Sequence, residues 1–190
     1  MERELMLTGV GGLGVQLGAQ VLARAATLEG RQVMFFGVYG GTMRGGNTDA
    51  TVVVADQAIQ APPLISRTWS ALAMHHQYWS ALEPKLRPQA VVLLNSSLFE
   101  ADLDRDAYRV FDVPASKLAT ELGNVMAASM VMIGAYASVT EMVGIESLAE
   151  AMQQSVPSYR QQHVKTNVEA LRAGFDVAPR GAAPAWEVSG

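Results

Sequence analysis

Leu5-Met6-Leu7-Thr8-Gly9-Val10-Gly11-Gly12-Leu13-Gly14-Val15 is the stretch on which the fold turns. A short apolar run closed by glycine reads as a buried parallel strand. The Gly9–Gly14 loop follows it, and then apolar residues recur at helical spacing from Val15 to Leu28 (Leu17, Val21, Leu22, Ala25, Leu28), stopped by Gly30 as a C-cap. Val33-Met34-Phe35-Phe36 predicts a second buried strand. Strand, glycine turn, helix and strand in that order predict a right-handed βαβ unit.

Downstream, Asp49–Ala55 with its Thr51-Val52-Val53-Val54 run is strongly β-prone. Ala71–Met74, Val91–Leu94 and Arg109–Phe111 are further strands, although Trp69–Trp79 also admits a helix. From Pro114 the pattern turns helical: Ala115–Leu122, Val125–Val143, Ile145–Met152 and Tyr159–Ala173. The expected architecture is α/β: an open, mostly parallel Rossmann-like sheet with helices on both faces and a helical C-terminal third. Residues 1–177 form the domain, and 178–190, rich in Gly and Pro, a tail or wrapping arm.

Composition narrows the chemistry. Hydrophobic residues make up 49% and charged residues 17% of 190 residues, against about 25% charged in an average domain. Low charge fits a well-filled core or a surface covered by other subunits. A net charge of −4 without basic runs leaves no electrostatic footprint for nucleic acid. No apolar segment long enough for a membrane span and no secretory pattern occur, so the expected location is cytoplasmic. With no cysteine, the chain cannot supply a disulfide, a thiolate nucleophile or the thiolates of an iron–sulfur cluster.

Two glycine loops carry the candidate site. Gly9-Val10-Gly11-Gly12-Leu13-Gly14 has Gly-x-Gly-x-x-Gly spacing between strand and helix, where backbone N–H groups and a helix N-terminus can receive a phosphate. A dinucleotide site ordinarily places an acid at the tip of the second strand. Here that strand ends Met34-Phe35-Phe36-Gly37, and Glu29 comes too early. The second loop is Tyr39-Gly40-Gly41-Thr42-Met43-Arg44-Gly45-Gly46-Asn47. Arg44 can grip a phosphate bidentately, with Gly45 and Gly46 freeing N–H groups beside it. Both loops are expected at one sheet edge. Asn95-Ser96-Ser97 follows the fifth strand at the same edge, either as ligand contacts or as caps. Asn124 reads as a helix-capping residue.

Nothing resembles a general acid, base or nucleophile. His75 and His76 are adjacent and point apart on either a strand or a helix, and His163 stands alone, so the histidines make no metal site. Met126, Met130 and Met132 read as core or interface filler.

These segments together resemble the gamma subunit of the 2-oxoacid:acceptor oxidoreductases (the pyruvate, ketoisovalerate, 2-oxoglutarate, indolepyruvate and arylglyoxylate enzymes). Val113-Pro114-Ala115, Ala119–Asn124, Met130–Gly134, Lys165-Thr166-Asn167 and Ala173-Gly174 extend the likeness from about Leu5 to Gly174. Where relatives carry a second asparagine, this chain has Ala127-Ala128-Ser129. The resemblance implies one subunit, without a complete active site, of an enzyme that oxidatively decarboxylates a 2-oxoacid to an acyl-CoA. It implies coenzyme A held here by Gly11, Gly12, Leu13, Gly14, Thr42, Met43, Arg44, Gly45, Gly46 and Asn47, with Asn95 and Ser96 as further contacts. Thiamine diphosphate with its Mg ion and the iron–sulfur clusters would sit on partners: thiamine-binding alpha- and beta-type subunits and a ferredoxin-like subunit, with room for a flavin subunit. A small NAD-binding reductase and a purely architectural subunit are the competing readings.

Overall fold

The computed structural model describes residues 1–39, 45–60, 65–156 and 158–186. Six strands form one sheet: β1 (Glu2–Val10), β2 (Gln32–Tyr39), β3 (Asn47–Ala55), β4 (Thr68–Ala73), β5 (Leu86–Asn95) and β6 (Arg109–Val113). Their spatial order is β2-β3-β1-β4-β5-β6. β1, β4, β5 and β6 run parallel, whereas β3 lies antiparallel to both of its neighbours, β1 and β2.

That reversed strand revises the expected βαβ unit. β1 and β2 point the same way, but β3 stands between them. The physical cause is the length of the connection: the chain from Tyr39 to Asn47 is too short for the helical crossover that parallel neighbours require, so β2 and β3 close as a hairpin. A second correction follows. β2, expected to be buried, is an edge strand, and it leaves Phe35, Phe36 and Val38 36%, 40% and 45% exposed.

Strand alternation divides the core. Leu5, Leu7, Leu72, Val91 and Leu93 face one side, beneath α1 (Val15–Leu28), α3 (Ala115–Glu121), α4 (Ala128–Thr140), α5 (Ile145–Ser155) and α6 (Val164–Val177). Met6, Ala71, Ala73, Val92 and Leu94 face the other, where a short helix, α2 (Trp79–Leu82), supplies Trp79 and Leu82. Helices thus cover both faces, very unequally. The stretch between Trp69 and Trp79 resolves as strand β4 followed by a 3₁₀ turn at His76–Tyr78.

α1 ends as its sequence predicts. Gly30 has φ 78°, its N–H reaches Thr27 O at 3.0 Å, and Arg31 N reaches Ala26 O at 3.0 Å, satisfying two carbonyls of the last turn. α4 is buried along its whole length, so its ends need internal partners. Residues 178–186 supply them at the C-terminus: Gly181 N, Ala183 N and Ala185 N donate to Ser138 O, Val139 O and Thr140 O. The described part of the tail is therefore a docked arm, tied further by Arg3 Nε to Ala185 O and Trp186 Nε1 to Met142 O.

α4 and α6 cross with their backbones in contact. A Cβ at Gly134 would overlap the Leu171 carbonyl, and one at Gly174 would overlap the Val131 carbonyl. The two glycines serve each other's helix.

Candidate functional site

Antiparallel pairing brings the start of β3 beside the end of β1, with Val10 opposite Asn47 and Gly9 opposite Thr48. The two glycine loops consequently meet. Gly11 N donates to Gly46 O at 2.8 Å, and Gly45 N to Gly11 O at 3.4 Å. Thr42, Met43 and Arg44, with Gly40 and Gly41, lie outside the described residues; Gly45 and Gly46 place the end of their loop against the first glycine turn.

The turn itself is built on positive φ. Gly12 has φ 107°, and Gly14, the α1 N-cap, has φ 77°. A Cβ on Gly14 would come within 2.5 Å of Ser129 Oγ, so the turn is pressed close to the start of α4. Leu13 N is used by Val10 O. The first helical bond is Gly18 N to Gly14 O at 2.9 Å, which leaves the N–H groups of Val15, Gln16 and Leu17 without helical acceptors.

Above this turn lies a cleft of about 480 Å³, within the ordinary range for small-molecule sites. Gly11, Gly12 and Gly14 form part of its wall, and Thr48 joins them from β3. Val15, Gln16 and Leu17 of α1 continue the wall, and the helical third completes it: Asn124 and Met126 before and on a 3₁₀ turn (Val125–Ala127), Met130 on α4, Val156 after α5, and His163 and Asn167 at the start of α6. Leu13 only packs against the core as a partly buried neighbour. Met126, in the wall, and its neighbour Val125 are 58% and 60% exposed.

Hydrogen bonds hold the rim. Thr8 Oγ1 and Asn47 Nδ2 both donate to Asp49, at 2.7 and 2.8 Å, and Asn47 Oδ1 is a buried acceptor with no partner among the described residues. Gln16 Nε2 donates to Asp49 O at 2.6 Å and Val38 O at 3.3 Å. Its Oε1, without a partner among the described residues, lies where a Cβ on Gly37 would be, so an alanine there would make the Gln16 amide move. Asn124 caps the 3₁₀ turn through Met126 N to Oδ1 at 3.2 Å, as its sequence context suggested.

Asn95 and Ser96 are placed differently. Both lie at the expected sheet edge, but β4 separates β5 from β1. Asn95 is fully buried and occupied within the protein: Nδ2 donates to Met74 O and Ser116 Oγ, and Oδ1 accepts from Ser116 N. Ser96 is exposed, with its N–H on Val113 O. Neither lines the cleft.

Several cleft residues went unrecognised in the sequence, His163, Asn167 and Asn124 among them. His163 and Asn167 are more than a hundred residues from either glycine loop, and the Lys165-Thr166-Asn167 segment, although part of the family likeness, gave no sign of the cleft; only the packing of α6 against α4 delivers them. Asn124 was read as a cap, and it is a cap that also borders the cleft. His75 and His76 do not diverge: they open a 3₁₀ turn, belong to neither regular element, and hold their rings 4.4 Å apart. Burial, reinforced by the charge of His76, keeps His75 below the usual imidazole range. Among the described residues no group of three or more His, Asp or Glu converges as a metal site would require, and no helix is long and apolar enough to cross a membrane.

Comparison with known proteins agrees with the geometry. The family model described as pyruvate ferredoxin/flavodoxin oxidoreductase matches residues 4–177. The 2-oxoglutarate synthase subunit KorC of Methanothermobacter marburgensis is 30% identical over 188 residues, covering 95% of this chain and 99% of the relative. The indolepyruvate oxidoreductase subunit IorB of Archaeoglobus fulgidus is 26% identical over 199 residues, covering 95% and 98%. The gamma subunit of a keto/oxoacid ferredoxin oxidoreductase from Geobacter sulfurreducens superimposes with a TM-score of 0.78 at 25% identity, over 93% of this chain and 98% of that one. The 2-oxoglutarate:ferredoxin oxidoreductase of Magnetococcus marinus has the same fold within a longer chain, with a TM-score of 0.83 at 16% identity over 99% of this chain and 33% of that one. A glycine-paired cleft on this sheet, matched from end to end by such relatives, places the chain in the pyruvate ferredoxin/flavodoxin oxidoreductase family, as a gamma subunit of a multisubunit 2-oxoacid:ferredoxin oxidoreductase.

Proposed function

We propose that this subunit holds coenzyme A for the acyl transfer that ends oxidative decarboxylation of a 2-oxoacid. The observation that carries the reading is the Gly11–Gly46 hydrogen bond beside an open cleft. It sets Gly45 and Gly46 next to a helix N-terminus whose first N–H groups have no helical acceptors, which favours phosphate; an arginine one position before Gly45 in the sequence supports the same reading. The Magnetococcus marinus enzyme that shares this fold was solved with 2-oxoglutarate, coenzyme A and succinyl-CoA bound. Gly11, Gly12, Gly14, Thr42, Met43, Arg44, Gly45, Gly46 and Asn47 are the proposed contacts.

A chain without cysteine holds no cluster thiolates. On the family resemblance, iron–sulfur clusters are assigned to a ferredoxin-like partner, and thiamine diphosphate with its Mg ion to alpha- and beta-type partners. What this chain contributes is binding and orientation of the acyl acceptor.

Titration of the assembled complex with coenzyme A tests the proposal. Arg44→Ala should weaken binding by about 1.5–3 kcal/mol, the scale of a hydrogen bond to a charged group. Unchanged affinity removes Arg44 from the site. A photoreactive coenzyme A analogue that labels only the partner chains would favour the architectural reading. Micromolar NADH binding by the isolated chain would favour the reductase.

A further inference from the structure

Tyr78 lies outside the cleft, yet its hydroxyl donates to Gly45 O at 3.3 Å. We infer that Tyr78 is a positioning residue for the coenzyme A site: it reaches the second glycine loop from the other face of the sheet and fixes the orientation of the Gly45–Gly46 peptide. The inference rests on the coenzyme A reading and adds a residue that acts on the ligand without touching it.

The tyrosine stands on a fixed platform. It ends the 3₁₀ turn His76–Tyr78 that follows β4. Met74 N, just before that turn, donates to Thr8 O of β1 at 2.9 Å, and His76 Nδ1 donates to Leu98 O at 3.0 Å. The ring lies along a separate groove with Met6, Phe36, Ala81 and Leu82. Met6 and Leu82 belong to the part of the core on the face away from α1. Tyr78 forms no part of the cleft wall, so its effect on a ligand there passes through Gly45.

The hydroxyl proton has one direction. A carbonyl only accepts, so Tyr78 is the donor to Gly45. Gln77 Nε2, at 3.2 Å, donates to the same hydroxyl oxygen and leaves its proton for the carbonyl. Gly45 is thereby held at both ends: its N–H goes to Gly11 O at 3.4 Å, and its carbonyl takes Tyr78. In a planar trans peptide the carbonyl and the following N–H point in opposite directions. Drawing Gly45 O toward Tyr78 therefore turns the Gly46 N–H away from it, and that N–H has no acceptor among the described residues. An aimed backbone donor beside the α1 N-terminus is what an anion nest requires. Gly45 has φ 77°, and glycine rotates readily between both signs of φ, so without the hydroxyl this peptide would lose its fixed direction.

The test is kinetic and uses the assembled complex carrying the full chain. KM for coenzyme A, KM for the 2-oxoacid, kcat and the unfolding midpoint are measured for the wild type, Tyr78→Phe and Gln77→Ala. Tyr78→Phe keeps the ring and removes only the hydroxyl. It should raise KM for coenzyme A about fivefold, the scale of one neutral hydrogen bond, and leave kcat and KM for the 2-oxoacid within about twofold. Gln77 is exposed, and Gln77→Ala keeps the test open if Tyr78→Phe fails to fold. By releasing the hydroxyl to rotate, it should raise KM for coenzyme A about twofold. A folded Tyr78→Phe complex with the wild-type KM for coenzyme A overturns the inference. So does one whose two KM values, kcat and midpoint all worsen together, because that is the mark of a structural role alone. If Tyr78→Phe does not fold, a wild-type KM in Gln77→Ala overturns it. Where a photoreactive coenzyme A analogue labels this chain, such results remove Tyr78 and leave the coenzyme A reading standing. If the analogue labels only the partner chains of the wild-type complex, both proposals fall.

Discussion

Gly11 and Gly46, thirty-five positions apart, are joined by a 2.8 Å hydrogen bond from the N–H of the first to the carbonyl of the second. The bond continues the β1–β3 ladder one step beyond Val10 and Asn47. Its effect is to make two loops from different strands into one rim. A rim assembled from backbone has no side chains to aim it, so this pairing is what sets its shape.

The glycines of the first turn should respond unequally to alanine. Gly14 has positive φ, and its added Cβ would meet Ser129 Oγ at 2.5 Å. Gly14→Ala should cost about 1–3 kcal/mol of stability. At Gly11 the nearest atoms to an added Cβ are Gly45 N, Gly46 O and Thr48 Oγ1, all at 3.5 Å, and φ is ordinary. Gly11→Ala should cost less than about 1 kcal/mol. Urea denaturation of the two variants separates them.

The helix crossing should be the least tolerant point of the chain. Gly134→Ala and Gly174→Ala each push a methyl into a backbone carbonyl of the facing helix. Neither neighbour is the movable end of a side chain. Each substitution should cost about 3 kcal/mol or more, at the upper end of overpacking losses. Thermal unfolding should show a lowered midpoint or no folded protein. A variant with an unchanged midpoint would contradict the backbone contact.

Asn95→Ala should act on stability rather than on ligand. Removing the amide strands Met74 O and Ser116 N in the core, at about 1–3 kcal/mol for unsatisfied buried groups. Coenzyme A affinity of the folded variant should equal that of the wild type. A folded Asn95→Ala complex with weakened coenzyme A binding would return Asn95 to the site.

Tyr136 provides a pH signature. Its hydroxyl is buried and lies 2.9 Å from Ser70 Oγ; burial, more than any neighbour, pushes its ionisation well above the usual phenol range. The folded state therefore holds the proton more tightly than the unfolded chain. Its contribution is fully present below the unfolded tyrosine pKa, near 10, and is lost as pH rises beyond it. Tyr136→Phe should lose about 1 kcal/mol at neutral pH, from the missing hydrogen bond, yet show a flatter stability profile above about pH 10. Urea midpoints across the alkaline range measure both effects.

Much of this protein is legible in its sequence because the signals are local. Val15–Leu28 shows its helical period and its terminating glycine within one stretch, and the structure has those same bounds. The strand order was not legible. Where β3 inserts depends on a hairpin whose consequence, a reversed strand between β1 and β2, appears only when the sheet assembles. The same event makes Phe35 and Phe36 edge residues, although their apolar run reads like any interior strand.

The candidate site divides along the same line. By itself the chain of residues put forward two glycine loops as the candidate material and excluded a thiol, since residue type and spacing are properties of the sequence. Tertiary structure alone decided that Asn167 and His163 join those glycines and that Asn95 is buried apart. Side-chain meetings across more than a hundred residues follow from helix packing and sheet order, and no local pattern encodes them.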